Sequence, residues 1–331
     1  TCLPARHGEQ KTEESKVKEK YFSFNAYLRE KFGERVHRIS IDAGFSCPNI
    51  DGILGKQGCI YCNNKGFGVY AKSGKTIEEQ IEESIIFYRR RLGVKKFIAY
   101  FQSYTNTYAE PQELKEKYDL IRKFPQIIGL FISTRPDCID EEKIRLISQY
   151  KKDYLVWIEY GLQTTHNRLL KIINRNHTYE DFIRALDLTR KYGVNVGVHL
   201  ILGLPSSTDE EIIEDAQRLS MLDIQGIKFH ILHVLKGTRL EEMYEQGGVN
   251  LLTREKYVKM VSSILSRIPP FFVVLRLVSS ALPDYLVAPL WINRRSEVVE
   301  DIRKELEKRG TRQGCLFEKF KNQRAKCKII T

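Results

Sequence analysis

Six short runs of aliphatic, β-branched or aromatic residues recur through the middle of the chain. They are HRISIDA (37–43), KFIAYF (96–101), IIGLFIS (127–133), YLVWIEY (154–160), VNVGVHLIL (194–202) and GIKFHILHV (226–234). Each reads as a strand. Between them the hydrophobic period changes to that of helices. Thr76 opens one helix, Glu79 completes a capping box, and Ile77, Ile81, Ile85 and Tyr88 share a face. A second starts near Thr178, carries Phe182, Ala185, Leu186 and Thr189 on one face, and stops at Gly193. A third starts at Ser207 or Thr208, with Glu210 or Glu211 three residues on. Strand–helix alternation of this kind predicts an α/β fold with a parallel sheet and helical crossovers. The pattern alone leaves open whether that sheet is doubly wound or curls into a barrel.

After about residue 250 the rhythm changes. LLTREKYVKMVSSILSRIP predicts a helix ended by Pro269 and Pro270, FFVVLRLV a further strand, and SEVVEDIRKELEKRG an amphipathic helix ending at Gly310. No internal repeat beyond this rhythm and no low-complexity segment is present.

In both parallel architectures the functional loops lie beyond the C-terminal ends of the strands. The loop after the first strand holds Cys47, Cys59 and Cys62. The other five are also polar: QSYTNTY, STRPDC, GLQTTHNR, GLPSST and HVLKGT. Six such loops on one rim point to a site, which a purely structural fold would not need.

Composition narrows the setting. The chain has 331 residues, 42% of them hydrophobic, which suits one large domain with an appendage or two ordinary ones. It contains no apolar run of about eighteen residues, so no transmembrane helix is expected. The first residues, TCLPARHGEQKTEESKVKEK, lack the apolar core of a secretory signal and read as a solvated lead-in. The chain does not begin with Met, which leaves room for residues upstream. Seven cysteines, an odd number without even spacing, argue against a disulfide framework and for a reducing, cytoplasmic setting. The net charge of +12 either attracts an anion, nucleic acid being the commonest large one, or reflects surplus surface lysine.

Cys47, Cys59 and Cys62 form a C-x11-C-x2-C set. Structural zinc would need a fourth ligand, which Cys138 or His37 would supply. A [4Fe–4S] cluster held by only three thiolates would keep one iron open for a small molecule. Spacing does not separate the two. A three-thiol loop facing five other polar loops favours the cluster.

The loop resembles the cluster loop of radical S-adenosylmethionine (SAM) enzymes, with Tyr61 before the third cysteine and a widened first spacing. The stretches RISIDAGFSCPN, GCIYCNN, FQSYTNTYA, STRPDC, GLQTTHNRLLKIINRNH, HLILGLPSST, KFHILHVLKGT, LVAPLW and RGTRQGC together resemble one bacterial family, related to the catalytic subunit of Elongator. They span roughly residues 20–315. The resemblance implies a partial (βα)6 TIM-like barrel over 37–250, an N-terminal extension over 1–36, and a C-terminal α/β appendage over 251–331 that contributes to substrate binding. It implies a [4Fe–4S] cluster on Cys47, Cys59 and Cys62, with SAM chelated at the open iron. It also implies reductive cleavage of SAM, hydrogen abstraction from a substrate, and a reductant such as flavodoxin or ferredoxin.

The resemblance further implies individual roles. Tyr61 lies near the adenine. Glu159 and Gln163 match positions that contact ribose and methionine; a buried acid paired with Arg135 is the structural alternative for Glu159. Arg135 binds the SAM carboxylate or ties strands together. Gly203 lets backbone approach the adenine or serves as a plain turn glycine. Ser103 and Asn106 stand where other radical SAM proteins carry a glycine-rich stretch for the SAM amino group, a pattern this chain lacks.

Strand alternation places His230 and His233 on opposite faces, so a regular strand points at most one inward. With His199 and Lys236 they read as substrate-side or core groups, not metal ligands. The Elongator resemblance and the charge indicate tRNA as partner and wobble-uridine side-chain modification as reaction. The alternatives are a radical SAM enzyme for a small metabolite and a non-catalytic, zinc-stabilised RNA-binding protein. Lys319, Lys321, Arg324, Lys326 and Lys328, interleaved with Phe317 and Phe320, are the expected RNA-guiding tail. Arg89, Arg90, Arg91, Lys95 and Lys96 form a second basic cluster, expected on the opposite rim.

Overall fold

The computed structural model describes residues 19–63 and 74–318. In chain order the strands are β1 (Val36–Ile41), β2 (Lys96–Phe101), β3 (Ile127–Thr134), β4 (Leu155–Gln163), β5 (Asn195–Leu202), β6 (Gly226–Ile231), β7 (Val234–Leu235), β8 (Val273–Arg276) and β9 (Leu286–Ala288). The helices are α1 (Phe24–Phe32), α2 (Ile77–Leu92), α3 (Pro111–Asp119), α4 (Glu141–Gln149), α5 (Asn167–Ile172), α6 (Tyr179–Lys191), α7 (Asp209–Ser220), α8 (Arg239–Glu245), α9 (Arg254–Arg267) and α10 (Arg295–Lys308). The expected helix starts hold: Thr76, Thr178 and Thr208 each cap a helix through a reciprocal box with Glu79, Asp181 and Glu211. Among the described residues, no helix is long and apolar enough to cross a membrane.

Six of the strands form a parallel sheet in sequence order, and β8 adds a seventh beside β6. The partial barrel expected from the resemblance is therefore present, with one strand more than six. The sheet stays open between β1 and β8. Helix α1 packs against both of these edge strands, and Ser23 bridges to Val274. The helix thus stoppers the N-terminal end of the curl.

The inside of the curl is tiered. At the bottom Ile98, Phe131, Trp157 and Leu275 pack with Phe24 and Leu28 of α1. Phe131 and Trp157 stack with ring centroids 5.6 Å apart. Gly226 makes room for them, because a Cβ there would lie 2.9 Å from Trp157 and from the Val273 carbonyl oxygen.

The next tier up is charged. Glu159, wholly buried on β4, accepts from Tyr100 Oη (2.8 Å), His199 Nε2 (2.7 Å) and Lys228 Nζ (2.7 Å) at Oε2, and from Arg38 Nη1 (3.2 Å) at Oε1. One carboxylate thereby ties β1, β2, β5 and β6 to β4. Its expected partner Arg135 is not among these. Arg135 instead grips Asp137 bidentately, at 2.9 and 2.7 Å, because the tight turn Pro136–Cys138 after β3 folds that acid back onto it.

One boundary differs. The run 226–234 does not form one strand: β6 ends at Ile231, and β7 pairs antiparallel with β9. His233 Nδ1 bonds the Ile231 carbonyl at 2.9 Å in this break. Alternation therefore fails, and His230 and His233 both face the cavity described below.

Burial disfavours a charged Glu159, but Lys228, the His199 hydrogen bond and Arg38 hold its carboxyl well below the usual carboxylate range. Glu159→Gln leaves the buried Lys228 without its counter-charge and is expected to cost about 3–5 kcal/mol of stability at neutral pH, measured by urea unfolding. A carboxyl whose folded pKa is depressed stabilises fully above its unfolded pKa, and that contribution disappears as pH falls through the folded one. The wild-type and E159Q stabilities should therefore begin to approach each other below about pH 4 and meet only at the lower pH where the folded carboxyl takes up its proton.

Candidate active site

The loop after β1 is held in place by a second loop, residues 173–177 between α5 and α6. Asn49 donates to the Asn174 carbonyl at 2.7 Å and accepts from Asn176 Nδ2 at 2.5 Å. Asn174 Nδ2 donates to the Gly58 carbonyl at 2.6 Å, and the Ile60 amide to the Ile173 carbonyl at 3.1 Å. Asn174 and Asn176 both sit at positive φ (53° and 55°), a region asparagine tolerates better than most residues. Between them Arg175 is aimed inward, with Nη1 3.7 Å from Cys59 Sγ and Nη2 2.7 Å from the Gly161 carbonyl. Asn49 Nδ2 lies 3.5 Å from the same sulfur.

These elements border one cavity of about 1120 Å³, counted with its open mouth. Cys47, Cys59, Cys62, Tyr61, Ser103, Arg135 and Gln163 all line it. Gln163 ends β4 at φ 77°, where a non-glycine residue is strained and a functional reason is the usual one. Asn106, Glu159 and Gly203 are not in its wall. Asn106 is buried and ties the β2 loop to β3 through the Ser133 carbonyl at 2.9 Å. Glu159 lies beneath the floor, with both oxygens already engaged. Gly203 turns the chain after β5 at φ 82°, and the space a Cβ would take is filled by Leu252, 2.8 Å away. The turn reading of Gly203 is the one the geometry supports. Of the six rim loops expected to converge, the GLPSST loop stays outside the cavity wall.

The donor set fits a thiolate-held cluster with an anionic co-ligand. Burial, then Cys59 and Cys47, push the Cys62 thiol up, so three thiolates need compensation in this place. Arg175 supplies part of it as a cationic N–H donor beside sulfur. Arg135 is buried, and its Nη1 has no hydrogen-bond partner. An orphaned guanidinium N–H at the cavity suits a carboxylate. His37, considered as a fourth zinc ligand, instead packs at a tilt against Tyr88 with centroids 3.9 Å apart. Cys138 does not line the cavity.

Sequence reasoning missed the clamp. Asn49, Asn174, Arg175 and Asn176 carry no spacing that marks them as functional, although NRN is an unusual polar run between two helices. It also missed Asp215 of α7. This buried acid accepts from Thr164 Oγ1 (3.0 Å), Thr165 N (2.5 Å) and Thr165 Oγ1 (2.7 Å), fixing the chain beyond Gln163. Burial, opposed by those Thr165 and Thr164 hydrogen bonds and by His166, raises its carboxyl to about 6.

Residues 56–219 match the Radical SAM superfamily, and residues 224–308 the Radical_SAM C-terminal domain. Protein YtqA of Bacillus subtilis (strain 168) is 35% identical over 315 residues, covering 94% of this chain and 97% of its own length. A tRNA uridine(34) acetyltransferase of Methanocaldococcus infernus is 28% identical over 192 residues, which cover 57% of this chain but only 35% of that enzyme. Among solved structures, archaeal Methanocaldococcus infernus Elp3 with an N-terminal deletion matches with a TM-score of 0.59 at 21% identity. The match covers 85% of this chain and 65% of that one, and it is a likeness of fold. Near-full-length similarity at 35% identity, with the parallel half-barrel and its rim of three thiols, decides between zinc and cluster: the chain belongs to the radical SAM superfamily, enzymes that use a [4Fe–4S] cluster and S-adenosylmethionine.

Proposed function

We propose that this enzyme holds its [4Fe–4S] cluster on Cys47, Cys59 and Cys62, cleaves SAM reductively, and takes a hydrogen atom from a tRNA wobble-uridine side chain. The observation that carries the cofactor assignment is the meeting of three thiols and the orphaned Arg135 Nη1 on one cavity. Bound there, cluster and SAM supply one-electron cleavage of a sulfonium bond and hydrogen abstraction. The chain's own residues do the rest. Arg135, fixed by Asp137, receives the SAM carboxylate. Ser103 and Gln163 offer hydrogen bonds on the cavity wall, and Tyr61 flanks the adenine. Asn106 positions the β2 loop, and Glu159 acts through Lys228 and His199 rather than by contact. The barrel stopper α1 and the packed bottom tier exclude water from below.

The tRNA assignment is supported by the +12 charge and by the relative whose name places it on tRNA uridine 34. The expected RNA-guiding tail, Lys319 to Lys328 with Phe320, lies outside the described residues. Phe317 is buried, so it is not an exposed platform for a base. Arg89, Arg90 and Arg91 end α2, at the rim away from the cysteines. A flavodoxin or ferredoxin of a reducing cytoplasm would supply the electron.

Anaerobically reconstituted protein should be brown, with about four irons and matching sulfide per chain, and Cys62→Ala should lose both. Stoichiometric zinc without sulfide would overturn the cofactor assignment. Arg175→Met removes a positive charge and an N–H donor beside Cys59, which favours the oxidised, less negative cluster. Its midpoint potential should fall by tens of millivolts in a redox titration followed by electron paramagnetic resonance. For the substrate, reduced enzyme is incubated with SAM and bulk tRNA, and the digested nucleosides are analysed together with 5′-deoxyadenosine. An altered uridine that depends on Cys62 is expected. Turnover of SAM with an unchanged nucleoside profile would reject tRNA.

A further inference from the structure

The floor of the cavity carries more positive charge than the described residues balance. Lys228, His199 and His230 line it. In register, His199 sits beside Lys228, and Lys228 beside Arg276 of β8. Lys228 is three residues before the end of β6, about 10 Å below the rim at the rise of a parallel strand. Arg38, Lys228 and Arg276 are three cations, and among the described residues Glu159 is the only carboxylate that meets them. The imidazoles add no charge. Burial, Lys228 and Arg276 leave His199 at about 3 despite the Glu159 hydrogen bond, and burial and Arg276 hold His230 well below its ordinary value.

The cations also have donors to spare. Lys228 gives one N–H to Tyr100 Oη (2.6 Å) and one to Glu159 (2.7 Å), out of three. Arg276 Nε is buried without a partner, while its Nη2 lies 2.6 and 2.8 Å from the two ring nitrogens of His230. Burial, with Arg276 and Arg38 and against Glu159, brings the Lys228 ammonium down to about 7. Lys228 is buried and Arg38 and Arg276 are partly so, and cations in such a place are costly unless something anionic joins them. The SAM carboxylate does not answer this need, since Arg135 awaits it at the rim.

We propose that the substrate carries an anionic group, a carboxylate or a phosphate, which is seated on the cavity floor by Lys228 and His230, with Arg276 behind His230. This rests on the reading of the cavity as the reaction chamber. A tRNA would meet the requirement only by inserting a nucleotide into the barrel, and a small acid by entering whole.

The test is anion binding to the reconstituted enzyme at saturating SAM, without tRNA or reductant. Inorganic phosphate and acetate are titrated separately by calorimetry, and phosphate also by phosphorus NMR line width. One of the two should bind at a single site that excess SAM does not empty, and Lys228→Met should weaken it at least about tenfold. Phosphate as the tighter probe assigns a phosphoryl-bearing substrate, and acetate a carboxylate. Circular dichroism and cluster absorbance check that K228M is folded; should it not be, His230→Gln carries the same comparison. Overturning results are that neither anion binds, that SAM displaces both, or that the folded variant binds as wild type does. Because tRNA is absent, a failure here leaves the tRNA assignment standing, and an unmodified tRNA leaves this one standing.

Discussion

A single carboxylate inside the barrel sets the terms for the rest of the molecule. Glu159 has no access to water, so its charge persists only because Lys228, Arg38, His199 and Tyr100 reach it from four other strands. Those contacts fix how far each strand is advanced relative to the next. They also divide the interior. Below Glu159 the tier is apolar and sealed by Trp157, Phe131 and α1; above it the cavity begins. The carboxylate thus marks the level at which packing gives way to chemistry.

The rim depends on a different device. A cysteine loop broken by glycines has little order of its own, and here it is held by amide hydrogen bonds from the 173–177 loop. Two asparagines at positive φ present their side chains to the cysteine loop while the intervening Arg175 points at Cys59. The same segment therefore sets loop geometry and the charge beside the sulfur. Asp215 performs a matching task for the chain beyond β4, where Gln163 is held in a strained conformation. Positioning groups of this kind hold a cofactor site within the tolerance that its chemistry demands.

The sequence by itself determined the strand–helix rhythm, the capped helix starts and the rim on which the site lies. These are local matters: hydrophobic period and capping chemistry act within a few residues, and parallel connectivity puts every such loop at one end. It also marked Cys47, Cys59 and Cys62, because three thiols in one short loop have few other uses. Tertiary structure decided what depends on residues distant along the chain. Arg135 finds Asp137 rather than Glu159 because the turn after β3 folds the nearer acid onto it. His230 and His233 share the cavity because β6 stops at Ile231, which strand alternation does not foresee. Asn49 meets Asn174 and Asn176, and Lys228 meets Glu159 and Tyr100, across separations of 69 to 128 residues. No local pattern encodes such contacts, because they form only when the curled sheet brings those strands to one depth.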